Sequence, residues 1–111
     1  MSAGVVALLA GDGLRRELAA GFEEEGVPLT VEARSGEAFA RAREAARRSP
    51  LGLGIGADSE GLVLVLAAAP GSPYLSARAA QARVFGHAAA RLAAGRPLAC
   101  REHETCGAVA P

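Results

Sequence analysis

The sequence predicts an α/β fold in three layers, with helices on both faces of a mixed, mostly parallel sheet of four or five strands in the order β-α-β-α-β-β-(β)-α. Three observations carry this. Gly4–Ala10, GVVALLA, is an unbroken apolar run of the kind seen in a parallel strand covered on both faces. Stretches with helical spacing then alternate with short β-rich segments, the pattern of a layered α/β domain. Finally, Leu51–Asp58 and Gly61–Ala69 are two β-like runs around Ser59-Glu60, which reads as an antiparallel hairpin.

The elements follow in order. The first strand closes at Gly11-Asp12-Gly13, where Asp12 is placed to cap a helix with Leu14, Leu18 and Phe22 along one face. Gly26 suits the position just past that helix, and Pro28 prevents its continuation. Leu29–Ala33, LTVEA, alternates and gives a second strand. Ser35 is expected to open the second helix, with Phe39, Ala42 and Ala46 on its buried side and Glu37–Arg41 and Glu44–Arg48 as i,i+4 pairs. Ser49-Pro50 ends it. In LGLGIG, Leu51, Leu53 and Ile55 alternate with Gly52, Gly54 and Gly56. One face of that strand is bare and must be approached closely by a helix or another chain. After Pro70–Pro73, Tyr74-Leu75 is expected to form a short edge strand. Ser76–Ala94 reads as an Ala-rich helix with Ala80, Val84, Ala88 and Leu92 inward, ended by Gly95 and Pro97. Residues 1–98 thus make a single α/β domain, and 99–111 an irregular C-terminal tail.

With 111 residues the chain has room for one core. Half of it is apolar, but aromatics are few and Trp is absent, so Ala, Leu and Val must fill the interior. Twelve basic residues balance twelve acidic ones, so no nucleic acid and no membrane is expected as partner. No apolar run approaches the ~20 residues that span a bilayer. The start, MSAGVVALLAGDG, lacks a basic n-region and a cleavage signal, and a cytoplasmic location is expected.

Few motifs carry chemistry. Gly11-Asp12-Gly13 follows a strand and opens a helix, but the third glycine of a dinucleotide fingerprint falls at Arg16, and only Glu32 stands near the acidic position. An ordinary tight turn accounts for it. Cys100, His103 and Cys106 are three residues of metal-ligand type in the tail, one short of a structural zinc site, and a loose tail explains them better. His87 lies in the last helix with no nucleophile partner, and no Walker loop or nucleophile elbow occurs. Arg41, Arg43, Arg47 and Arg48 read as a solvated basic face. The chain is expected to be a binding subunit, not an enzyme.

Glu23-Glu24-Glu25 is the anomaly. Three acids stand before Gly26, at the negative end of a helix macrodipole, where they are disfavoured. Turned ~100° apart, the three cannot share one site within the chain, and at most one or two could point at a common partner. They form either a solvated helix end or one hard oxygen ligand for Mg2+ or Ca2+ completed by another chain.

GFEEEGVP (21–28), AARRSPLGLGIGAD (45–58) and RVFGHAAARLAAGRPL (83–98) resemble, in order, blocks of the small subunit of the glycerol and diol dehydratase reactivating factor, the reactivase. The likeness covers most of residues 4–98. It implies a Rossmann-like fold similar to the medium subunit of the coenzyme-B12-dependent dehydratase itself. It also implies a large, Hsp70-like ATPase partner subunit in a two-plus-two assembly. That complex would act as a chaperone that releases damaged cobalamin from inactivated dehydratase by subunit swapping. ATP and ADP would be bound by the partner, not by this chain. Glu24 would reach a Mg or Ca ion at the subunit interface, with Glu23, Glu25, Arg83 and Arg91 as further interface residues. A cytoplasmic hetero-oligomer, in or beside a bacterial microcompartment, follows from the same likeness.

The sequence departs from the family where Asn is usual, at Ala88, which follows His87. The alternative is a medium subunit of a B12-dependent dehydratase. SPLGLGIG and the lack of a long N-terminal extension favour the reactivase. A third possibility, of another class, is a free-standing small-molecule module built on the glycine-lined strand 51–56.

Overall fold

The computed structural model describes residues 4–95. The expected tail, the exit at Pro97 and the Cys100, His103, Cys106 group lie outside the described residues. A five-stranded mixed sheet runs in the spatial order β2-β1-β3-β4-β5. Strand β1 (Val5–Leu9) pairs in parallel with β2 (Leu29–Ala33) and β3 (Leu53–Ala57). Strands β4 (Gly61–Leu66) and β5 (Leu75–Arg78) continue the sheet antiparallel. All five residues of β1 are buried, as its unbroken apolar run requires.

Side-chain alternation divides the core into two layers. Val5, Ala7, Leu9, Ile55, Leu62 and Leu64 face helices α1 (Asp12–Glu25) and α3 (Ala82–Ala93), meeting Leu18, Phe22, Phe85 and Ala89. Val6, Leu8 and Val65 face the other way, toward Ala42, Ala45 and Ala46 of α2 (Ala38–Arg48). The bare face of β3 belongs to α2. A Cβ on Gly54 would stand 2.0 Å from Ala46 N, and one on Gly56 would stand 2.1 Å from Ala38 O. A helix is thus what packs there, and the small-molecule module reading loses its site.

Several local expectations shift. Asp12 is the first residue of α1 and makes no cap; Gly11 holds the cap position without a side chain. Helix α2 opens at Glu37, not Ser35. The Glu37 carboxylate accepts from Phe39 N and Ala40 N, each at 3.0 Å. Of the expected i,i+4 pairs on α2, Glu37–Arg41 gives way to this cap and Glu44–Arg48 to partners on β2 and its exit. Arg48 holds Glu32 with a bidentate grip, and Arg34 Nη1 lies 2.6 Å from Glu44 Oε2. Glu44 also pairs with Arg41 at 3.3 Å, and Arg43 sits over the Phe39 ring. The Arg48 guanidinium holds the Glu32 carboxyl below its ordinary range.

The largest correction concerns residues 76–81. Ser76, Ala77 and Arg78 pair with Val63, Leu62 and Gly61 at the sheet edge. A 3-10 turn, Ala79–Gln81, follows, and α3 begins only at Ala82. Helix propensity there yields to an open strand edge whose backbone groups need partners. The buried stripe of α3 is accordingly Ala82, Phe85, Gly86, Ala89 and Ala90. Ala80 and Val84 are exposed, Val84 at 69%. Ala88 and Leu92 pack at the core margin.

Candidate functional site

Glu23, Glu24 and Glu25 form the last turn of α1, which contains no basic residue to offset its negative pole. Gly26, with φ 72°, takes the left-handed conformation that closes the helix. Its N–H donates to Glu23 O, and Val27 N–H donates to Phe22 O, both at 3.1 Å.

The compensation comes from the neighbouring helix. α1 and α3 meet through two glycines. A Cβ on Gly21 would stand 2.6 Å from Arg83 O, and one on Gly86 would stand 2.7 Å from Leu18 O. This close crossing brings His87 and Arg91, one turn apart on the same face of α3, against the end of α1. Glu25, with 12% of its side chain exposed, places Oε2 3.0 Å from His87 Nδ1. Both its oxygens lie 3.2 Å from Arg91 Nη1. Glu24 meets the other ring nitrogen, Nε2, through Oε1, and remains half-exposed. His87 donates to both carboxylates at once only with both ring nitrogens protonated.

The residues expected at an interface therefore divide. Glu24, Glu25 and Arg91 come together. Arg83 stands apart on α3, its Nε 3.3 Å from Glu17 Oε1 in an exposed pair. Glu23 is exposed on another side of α1, at the rim of a cavity lined by Arg15, Phe22, Val27 and Leu29. His87, read from sequence as a bland helix residue, is the hub of the cluster. Its only local signal is the i,i+4 spacing to Arg91.

Among the described residues, no group of three or more His, Cys, Asp or Glu is arranged to hold a metal ion. Glu24 fits a hard cation by chemistry, as a half-exposed carboxylate. It would supply one ligand of a six- to eight-oxygen shell, so the remaining ligands would have to come from outside the described residues.

A second concavity, about 390 Å³, opens at the carboxyl ends of β1 and β3, where α/β sheets often bind ligands. Its one carboxylate is committed to the fold. Asp58 Oδ2 accepts from Ala38 N at 3.0 Å, at the start of α2, and Oδ1 accepts from Glu60 N at 2.9 Å and Gly61 N at 3.2 Å. The Ala38 hydrogen bond, then that of Glu60, holds the Asp58 carboxyl below its ordinary range. This end shapes the hairpin and starts a helix.

A five-stranded α/β/α layer with an acidic helix end clasped by a neighbouring helix defines the class, and comparison with known proteins names it. The family model "dehydratase medium subunit" matches residues 6–99. The small subunit of the diol dehydratase-reactivating factor of Klebsiella michiganensis is 39% identical over 102 residues, 86% of this chain and 82% of that protein. A solved glycerol dehydratase reactivase superposes with a TM-score of 0.78 at 31% identity, over 90% of this chain and 99% of that one. A diol dehydratase-reactivating factor solved in complex with ADP and Mg2+ gives 0.78 at 34%, with the same coverage. The chain belongs to the dehydratase medium-subunit family, among the small subunits of dehydratase-reactivating factors.

Proposed function

We propose that this chain is the non-catalytic small subunit of a reactivase that frees inactivated B12-dependent diol or glycerol dehydratase of damaged cobalamin. The observation that carries the reading is the 39% identity to a reactivating-factor small subunit across 86% of the chain. The name "small subunit" calls for a larger one. In this reading that partner is an Hsp70-like ATPase in a two-plus-two assembly, and it binds the nucleotide. Exchange of this chain for the dehydratase medium subunit, whose family it shares, then opens the cobalamin site. Shared fold is what makes such an exchange physically reasonable, because one docking surface can accept either chain.

In this reading Glu24 is the residue of this chain that meets a Mg2+ or Ca2+ ion held by the partner. Its carboxylate is half-exposed at the protein surface and stays near the negative pole of α1. A bound cation would add to the compensation that Arg91 already gives this helix end through Glu25. In this reading the residues around it bind and orient.

Co-expression with the large reactivase subunit encoded in the same genome tests the reading. A complex should co-purify in Mg2+ and ADP, and Glu24→Ala should weaken it. If the two chains elute apart at micromolar concentration, the reading fails. Co-purification instead with a large catalytic dehydratase subunit, carrying cobalamin absorbance, would make this chain a dehydratase medium subunit.

A further inference from the structure

We propose that His87 is the positioning residue for Glu24, holding its carboxylate at the angle from which a partner-borne divalent cation can take it. The inference rests on the reading of Glu24 given above and adds the device that aims it. Arg91 and His87 fix Glu25, and the other nitrogen of His87 fixes Glu24, so the contacts run from a nearly buried carboxylate out to a half-exposed one. Each link lies on a rigid helix, and the Gly21–Gly86 crossing sets the spacing between the two. The grip on Glu24 is through Oε1, so Oε2 is the oxygen a cation would take. A lone glutamate at a helix end samples many rotamers, and hydrogen bonds from outer-shell groups are what fix a ligating carboxylate. His87 occupies that role by geometry, from a helix far away in sequence.

The test measures the Mg2+ concentration at half-maximal assembly of the large reactivase subunit with this chain, in ADP, by fluorescence anisotropy. Wild type, Glu24→Ala, His87→Ala, His87→Gln and the Glu24→Ala/His87→Ala double variant are compared, with thermal unfolding of each chain as a fold control. His87→Ala should raise the midpoint on the order of 10-fold, the loss typical of outer-shell partners. His87→Gln, which keeps one donor, should recover part of it. In the Glu24→Ala background, His87→Ala should add nothing, because the two act through one carboxylate. An unchanged midpoint in folded His87→Ala, with Glu24→Ala still impaired, overturns the inference alone. So does an equal shift by His87→Ala in both backgrounds. A silent Glu24→Ala overturns both this inference and the role given to Glu24.

Discussion

Replacing Gly21 by Ala probes the helix crossing on which the whole site depends. The added Cβ would lie 2.6 Å from Arg83 O, 2.7 Å from His87 N and 2.9 Å from Gly86 C. All three are backbone atoms and cannot swing aside. Ordinary van der Waals contact begins at 3.4 Å, so α3 must retreat by about 0.8 Å, the shortfall at Arg83 O. That movement would take His87 Nδ1 and Glu25 Oε2 from 3.0 Å to about 3.8 Å, beyond hydrogen-bonding distance. Overpacking of this kind costs about 1–3 kcal/mol, and Ala offsets up to ~1 kcal/mol through helix propensity. With rigid atoms on every side, the net loss should be about 1–2 kcal/mol, or roughly 5–10 °C in Tm. Gly13, in the same helix with nothing within 4 Å of its added Cβ, supplies the control. Gly13→Ala should stabilise by about 0.4–1 kcal/mol. Urea and thermal unfolding of both variants decide the matter. If the two substitutions shift stability in the same direction, the close crossing is not what sets the helix spacing.

Three further perturbations follow from the geometry. Gly54→Ala drives a methyl to within 2.0 Å of Ala46 N and should cost about 3 kcal/mol or more, seen as a large fall in the urea midpoint or failure to fold. Arg91→Met removes a cation from the nearly buried Glu25 and should cost about 1–2 kcal/mol, measured the same way. Asp58→Asn should cost about 1–2 kcal/mol at neutral pH and flatten the acid limb of the stability profile. The folded-state pKa of Asp58 is depressed, so its contribution is complete above the unfolded value near ~3.9 and fades as pH falls through the folded one. Urea unfolding from neutral pH down to about pH 2.5 would show it, with the gap between wild type and variant closing as pH falls.

Much of the fold was legible because local signals agreed. Leu14, Leu18 and Phe22 mark the buried side of α1, and Gly26 with Pro28 marks its end. Gly54 and Gly56 announce a close neighbour, and α2 fills that place. Where reading failed, a distant partner had overridden a local preference. Ser76–Arg78 looks helical by composition but completes the edge of β4. With that start displaced, the inward stripe of α3 falls on Phe85 and Ala89 while Val84 points to solvent. Glu44 and Arg48 have partners on β2 and its exit instead of each other because those residues approach α2 only in the folded chain. The cluster at Glu24 was half visible. The acids break a helix-pole rule and so attract notice, whereas His87 and Arg91 reach them across more than 60 residues, which no local spacing reveals.

Anomalous diffraction from the assembled large and small subunits, with Mn2+ replacing Mg2+, bears most directly on the role given to residue 24. A manganese peak at coordination distance from the Glu24 carboxylate, with its remaining ligands on the larger chain, is the predicted outcome. A peak bound wholly by the larger chain, with Glu24 facing solvent and still tied to His87, would contradict it.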